Sequence, residues 1–499
     1  PVSHPTNLVA NGGDSKNTLH WTRSIGNTIR RYDIYRGTTS GSLAVIDSLV
    51  GLPPDTSYTD NNVSNGQTYY YHLTARDLAS NTSKASNEVS AIPRGIIYVD
   101  VSSGSDASGS GALAAPYSTI QHAINQAVSG DTIYVKPGTY QETFDLGGKW
   151  ISLRSTEGKD VTFLSSNGSG TVITAETGEQ SNTEVVGFTI KDASTGISIG
   201  PDEEVTIRDC YITDTNYPIE AYADNDINLF NITLGLNGLQ AVKMNGETIG
   251  YSNSSITRTW SINNLTVNPE GDLNVRSTNN TGTATLKIVG NAELAFNEGK
   301  NIIVGGADYN KRGALAATGV TFTALDTSLG WGGIYFSDYS DDGSSLIDSC
   351  IIEYADDGIY CASASPTITN STIRSNTDGI YADSGSQPTI TGNTFTGNER
   401  PVFIYADRIR SNIYGNTYSG NTKDYIEVKN ATLDENLTYV WSMDGAPYLI
   451  SSDLEVRRDN NSSQLSTLKI DSGATVMFKN GIDLYIGHEN NSNYRGALI

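Results

Sequence analysis

The chain holds little that could staple it together and little of the side chain most used in catalysis. Among 499 residues there are 3 cysteines, 3 methionines and 5 histidines. So few cysteines build no disulfide framework in a chain of this length. Cys210 and Cys350 lie in the strand-like runs RDCYI and DSCII, where alternation points them inward as buried thiols. The histidines are His4, His20, His72, His122 and His488, and none falls in the long repetitive stretch between the last two. Histidine-based chemistry is therefore excluded there. Basic residues are also scarce: 32 Lys and Arg face 55 Asp and Glu, a net charge of −23. Such a surface repels phosphates and argues against nucleic acid or an anionic membrane surface as partner. No apolar run approaches the length of a membrane-spanning helix. Walker loops, dinucleotide fingerprints and zinc spacings are missing, and the glycine loop 103–111 lacks the strand-to-helix context that binds phosphate.

Repetition is what the chain has in quantity. Asp-Gly-Ile-Tyr occurs at 357–360 and again at 378–381; Pro-Thr-Ile-Thr occurs at 366–369 and again at 388–391. Gly333-Ile334-Tyr335 precedes the first of these by one further period. Earlier, Gly196-Ile197, Pro218-Ile219 and Gly238-Leu239 follow the same rhythm. Self-similarity at this spacing marks a solenoid. Short apolar strands between polar turns, without a second helical segment, make it an all-β parallel helix. At about 22 residues per coil and about 4.8 Å per coil, some 18 coils would form a rod on the order of 85 Å long. A longer period overlies the first. Trp260 matches Trp441, Thr285–Ile288 matches Thr467–Ile470, and Arg312-Gly-Ala-Leu matches Arg495-Gly-Ala-Leu. A long module thus begins again before Ile499, which predicts either a continuing polypeptide or an end that abuts another molecule. The start at Pro1 reads as that of a processed product whose targeting segment is gone.

Residues 1–94 predict about seven short strands separated by turn signals. With Trp21 in LHWTRS, the Tyr32/Tyr35 strand and Tyr69 in TYYYHLTARD, the segment resembles a fibronectin type III domain. That resemblance implies a β-sandwich spacer or adhesion module, with Trp21 in the core and Tyr69 as its tyrosine corner. Next, YSTIQHAINQAV places Ile120, Ala123, Ile124 and Ala127 on one face of an amphipathic helix about three turns long. Followed by DTIYV and PGTYQE, it resembles the entrance of right-handed parallel β-helix proteins of the pectate-lyase-like superfamily, surface-protein type. There a helix caps the open edge of the first coil. The expected domains are 1–94, the sandwich; 95–254, the capped start of the β-helix; 255–436, a first long module; and 437–499, the start of its second copy.

Using Gly-Ile-Tyr as the register mark, Ile334, Ile359, Ile380 and Val402 form one inward column. Cys350, Ser371 and Asn393 form another, and Ile352, Ile373 and Phe395 a third. Alternation turns Tyr335, Tyr360, Tyr381 and Phe403 outward, with Trp331 added to their face. An exposed aromatic ladder beside acidic groups suits carbohydrate binding, because sugar rings stack on aromatic planes. Glu353 falls over Arg374, a favourable pair, while Asp357 falls over Asp378, which needs a cation or Arg400 to relieve it. With Asp341, Asp342 and Asp356 nearby, these carboxylates are the candidate Ca²⁺ site, the alternative being a solvated acidic turn face. Sequons at Asn62, Asn81, Asn167, Asn231, Asn253, Asn264, Asn370 and Asn430 are candidate glycosylation sites and fit a secreted or cell-surface chain.

The superfamily resemblance implies polysaccharide cleavage, yet the WIDH strand and RxPxxR turn of pectate lyases are absent, as is the QD…GDFIFG pattern of pectin methylesterases. Lys243, Arg374, Arg408 and Arg410 could serve as a lyase base, but no catalytic constellation marks any of them. The sequence therefore predicts a structural or adhesive β-helix protein, binding polysaccharide, neighbouring surface proteins or copies of itself, and able to stack end to end into a filament. No cofactor beyond Ca²⁺ is called for. A polysaccharide lyase or glycoside hydrolase acting on an acidic extracellular glycan is the alternative.

Overall fold

The computed structural model describes all residues except 1, 26–28, 53, 251–253, 279–281, 307–310, 430–431, 459–464 and 488–494. Asn253, Asn430 and His488 lie outside the described residues. The chain divides into two units, Pro1–Ile197 with Glu203–Thr215, and Ser198–Asp202 with Asn216–Ile499.

The first unit opens with seven antiparallel strands: β1 (Thr6–Gly13), β2 (Lys16–Thr22), β3 (Ile29–Thr39), β4 (Ser42–Val50), β5 (Ser57–Asp60), β6 (Tyr69–Asp77) and β7 (Val89–Ala91). They form two sheets, ordered β1-β2-β5 and β4-β3-β6-β7. Alternation in β2 and β6 sends Leu19, Trp21, Tyr71 and Leu73 into the shared core. There Trp21 meets Tyr32 edge to face at 5.3 Å. The hydroxyl of Tyr69 accepts from the Ser64 N–H at 3.1 Å, which ties the preceding turn to β6.

Helix α1 (Ile120–Gln126) follows and buries Ile120, Ala123 and Ile124. It is shorter than its apolar pattern implied, because Ala127 already has extended backbone. Its N-terminus is held twice. The Thr119 hydroxyl accepts from His122 N–H, and the Glu142 carboxylate accepts from Ile120 N–H at 2.8 Å and Gln121 N–H at 3.1 Å. The glutamate of PGTYQE is thus a helix cap. Behind it, Ile96–Val99, Thr132–Val135, Ser152–Ser155, Thr183–Val186 and Glu204–Arg208 pair in parallel, one strand per coil.

The second unit is a parallel β-helix, and one of its sheets runs through ten strands from Thr248–Ile249 to Val476–Phe478. Isoleucine stacks on isoleucine, as at Ile347, Ile368 and Ile390, with 21 and 22 residues between successive partners. Elsewhere the coils are longer: Trp260, Ile288 and Ala317 are register partners 28 and 29 residues apart. A uniform period of about 22 therefore overstates the number of coils.

The long repeat recurs in three dimensions. Trp260 pairs with Ile288 and Trp441 with Ile470; Leu286 pairs with Leu315 and Leu468 with Leu498. Gly313 and Gly496 occupy equivalent niches, where an added Cβ would meet the Val275 or Val456 carbonyl oxygen at 1.8 Å. Only glycine fits, which explains why Arg-Gly-Ala-Leu is repeated.

Two buried side-chain ladders bind successive coils. In the first, Cys350 N–H donates to Ser371 Oγ (3.1 Å), Ser371 N–H to Asn393 Oδ1 (2.9 Å), and Asn393 N–H to Asn416 Oδ1 (2.9 Å). In the second, Ala355 N–H donates to Asn376 Oδ1 (2.9 Å), Asn376 N–H to Asn398 Oδ1 (3.1 Å), and Asn398 N–H to Asn421 Oδ1 (3.0 Å). Each of these asparagines also donates from Nδ2 to a strand carbonyl, as Asn398 does to Ile373 O at 2.8 Å. Replacing Asn398 with Ala removes the side-chain partners of the Asn376 N–H and the Ile373 carbonyl, both buried, while Asn421 Oδ1 keeps the backbone N–H of residue 398. At about 1–3 kcal/mol for each unsatisfied group, the variant is expected to lose at least about 2 kcal/mol in urea unfolding of the coils around it. Wild-type stability would contradict a holding role for the ladder.

Candidate functional site

The Gly-Ile-Tyr register holds. Ile334, Ile359, Ile380 and Val402 are partners in adjacent strands and are all buried. One position further along, Tyr335, Tyr360, Tyr381 and Phe403 stack outside the coil. Their ring centroids are 5.2, 4.9 and 4.5 Å apart, with interplanar angles of 13°, 4° and 15°. Stacking at coil spacing has a consequence for binding, because each inner ring turns both faces to its neighbours. Phe403 closes one end of the row. It is buried, with the Arg400 guanidinium 4.5 Å from its centroid and Tyr405 edge-on at 6.0 Å. Tyr335 begins the other end. Its register partner is Ile303, and it is the most exposed ring of the four, at 36%.

Trp331 does not join this face. It is buried, its ring stacks on Phe296 at 4.7 Å, and its indole N–H donates to the Glu353 carbonyl at 2.8 Å. Strict alternation would place it beside Tyr335. The backbone breaks that alternation at Gly333, with φ of +114°, where the pairing register also shifts. Trp331 consequently faces the interior with Ile334.

Asp357 faces Asp378, and Asp378 faces Arg400. Arg400 binds Asp378 through Nε at 2.7 Å and also reaches Glu427 at 3.4 Å. Burial and the neighbouring Asp378 charge push the Asp357 carboxyl up to about 6, against a smaller opposing effect of Arg400. The five carboxylates considered for Ca²⁺ do not converge. Asp342 accepts from Ser340 Oγ and Ser365 N–H, Asp378 is held by Arg400, and Asp356 is exposed on the strand Ala355–Cys361. Among the described residues no set of three or more His, Cys, Asp or Glu is placed to hold a metal ion.

The four basic residues weighed as lyase bases are all engaged with carboxylates. Lys243 pairs with Glu220 and Glu270, Arg374 with Glu353, Arg408 with Asp407, and Arg410 with Glu435. Arg276 differs, having no such partner among the described residues. It lines an open cavity of about 470 Å³ together with Ile303, Tyr335, Asp338, Tyr339 and Ser363. Sequence reasoning missed Arg276, because a long coil separates it from the tyrosines. The recurrence of Val275-Arg276 as Val456-Arg457 in the long repeat was the available signal. The sequon asparagines Asn62, Asn81, Asn167, Asn231, Asn264 and Asn370 are exposed. Four of them, Asn167, Asn231, Asn264 and Asn370, have φ between 51° and 59°, so asparagine also serves the left-handed turn corner there.

Residues 302–440 match a family model described as a right-handed β-helix region, and this stretch holds the stacked rings and both ladders. The fold is thus an all-β chain with a right-handed parallel β-helix. An amylopullulanase of Thermoanaerobacterium thermosulfurigenes is 36% identical over 89 residues, 18% of this chain and 5% of that protein. The chain therefore spans only a small fraction of that relative. Among solved structures, an Fn3-like protein from Clostridium thermocellum is 28% identical over 18% of this chain and 91% of that one, with a TM-score of 0.16. A family 28 exopolygalacturonase of Yersinia enterocolitica covers 99% of this chain and 98% of its own at 12% identity, with a TM-score of 0.17.

The raised Asp357 carboxyl makes a pH prediction. A carboxyl whose folded pKa lies above its unfolded value stabilises the fold while protonated, and that contribution is lost as pH rises through about 6. Asp357→Asn stays neutral throughout. Its melting temperature is expected to exceed that of the wild-type chain near pH 7.5, with the gap shrinking near pH 4. A gap that does not change with pH would contradict the assignment.

Proposed function

We propose that the chain is a secreted or cell-surface carbohydrate-binding β-helix protein, and that its glycan docks at the open end of the tyrosine stack. One observation carries this reading: an exposed tyrosine and an unpaired arginine line the same cavity in a chain of net charge −23. A sugar ring packs on the Tyr335 end of the stack, where no further ring follows. Arg276 supplies a forked donor for a carboxylate, so the favoured glycan is acidic. Asp338 and Tyr339 are within the same cavity to bind hydroxyls. The partial likeness to an amylopullulanase, carbohydrate-acting by its name, supports a polysaccharide setting without assigning its activity.

The N-terminal sandwich fits a fibronectin type III spacer, supported by its strand order, the buried Trp21 and the Tyr69 corner. Spacer and duplicated coils together suit a structural or adhesive role, holding the glycan site away from whatever bears the chain. Further partners would then be neighbouring surface proteins or copies of itself. Exposed sequons such as Asn62 accord with an extracellular setting.

Cleavage is a second reading, favoured by the Asp357–Asp378 pair beside the stack. Burial and its neighbour's charge push one carboxyl up to about 6 and the other is fixed by Arg400, a difference in proton affinity of the kind an acid–base pair uses.

Affinity electrophoresis through gels cast with polygalacturonate or with neutral dextran tests both. The wild-type chain is expected to be retarded by polygalacturonate alone, with Arg276→Ala and Tyr335→Ala each weakening retention about tenfold or more. Retention unchanged in both variants would remove the proposed site. New reducing ends released by the wild-type chain, and lost in Asp357→Asn, would convert the binding protein into a hydrolase.

A further inference from the structure

A second polar cleft lies in the first unit. Its floor is a column of register partners, Thr132, Ser152, Glu184 and Thr206, one from each of four successive coils. All four face outward, while the alternate positions Ile133, Leu153, Val185 and Ile207 are buried. Trp150 forms one wall, with the Arg94 guanidinium 5.2 Å from its ring centroid. The cleft is half open and has a volume of about 250 Å³.

Glu184 is already satisfied. It accepts from Ser152 Oγ at 2.7 Å and is paired with Arg154 and Arg208. Burial opposes its ionisation, but the Ser152 hydrogen bond and the arginine charges outweigh that and hold the carboxyl below its ordinary range. Glu184 is therefore a fixed acceptor rather than a repelling charge. The hydroxyls of Thr132 and Thr206 make no hydrogen bond among the described residues, and Arg94 has no carboxylate partner there. A flat indole, an arginine without a carboxylate partner and a row of hydroxyls at coil spacing match a sugar ring that bears a carboxylate. Neutral sugars would leave the Arg94 charge unused.

We propose that this cleft is a second acidic-sugar site, independent of the Tyr335 cavity: a uronate ring packs against Trp150, its carboxylate pairs with Arg94, and its hydroxyls meet Thr132, Ser152 and Thr206. The protein carries its own reporter. Of five tryptophans, Trp21, Trp260, Trp331 and Trp441 are buried, and only Trp150 is partly exposed.

Trigalacturonate, with neutral galactotriose as control, is titrated into the full chain and followed by tryptophan emission and calorimetry. A saturable emission change with trigalacturonate alone is expected. It should be abolished in Trp150→Phe, weakened about tenfold or more in Arg94→Ala, and unaltered in Arg276→Ala. Arg94 is exposed, so its variant keeps the fold, and Trp150→Phe preserves an aromatic wall. Calorimetry distinguishes the two sites: Arg94→Ala removes this one and Arg276→Ala the other, so loss of either leaves the other measurable. No emission change together with a stoichiometry unaltered by Arg94→Ala would overturn the proposal. So would an equal response to galactotriose, or an emission change that persists in Trp150→Phe.

Discussion

The coils that carry the stacked rings depend on a hydrogen bond made once per coil in each of two ladders between Cys350 and Asn421, from a backbone N–H to the side-chain oxygen at the same position one coil further on. Asn393, Asn416, Asn376, Asn398 and Asn421 all accept such a bond. The strands alone fix the spacing within each sheet. At the turns between sheets the carbonyl of each ladder residue accepts from a backbone N–H one coil on, as Ser371 O does from Thr394 N–H, and the ladder satisfies the buried amide that this pairing leaves over. A carboxylate performs the same service near the cap, where Glu179 accepts from Gly148 N–H and Glu203 from Gly178 N–H. Once coils are locked at this interval, each residue's nearest neighbour is its own equivalent.

That rule decides which side chains can serve a ligand. Like apolar groups gain by it, as the isoleucine columns do. Like charges lose by it, and the Asp357–Asp378 contact is eased by Arg400, which binds one partner, while burial and the Asp378 charge push the other carboxyl up to about 6. Aromatic rings gain packing and lose their faces. A tyrosine row that reads as a long sugar platform is mostly self-satisfied, leaving Tyr335 at its end beside Arg276. The Trp150 cleft obeys the same logic, since its floor is a column of polar groups with nothing to stack.

Inward and outward columns were legible in the sequence because coil-to-coil repetition writes them directly, as Gly-Ile-Tyr does. The Asn393 column was legible as a position but not as a hydrogen-bonded ladder. Its sister through Asn376, Asn398 and Asn421 was available at the same spacing. It was hidden because asparagine is common in this chain and its turns share no longer motif. Trp331 could not be placed, since one residue with positive φ reverses the alternation on which the assignment rests. Arg276 and Arg94 stayed invisible for another reason. Each acquires meaning from side chains contributed by other coils, and from the absence of a carboxylate partner, which no linear pattern records.

Hydroxyl-radical footprinting, read residue by residue by mass spectrometry with and without trigalacturonate, tests most directly whether stacking confines glycan contact to the end of the row. Protection of Tyr335 and Tyr339, with Tyr360 and Tyr381 oxidised as in the free chain, is the result that follows from rings whose faces are already occupied. Protection spread evenly over Tyr335, Tyr360 and Tyr381 would contradict it, and would make the flank of the stack the glycan surface.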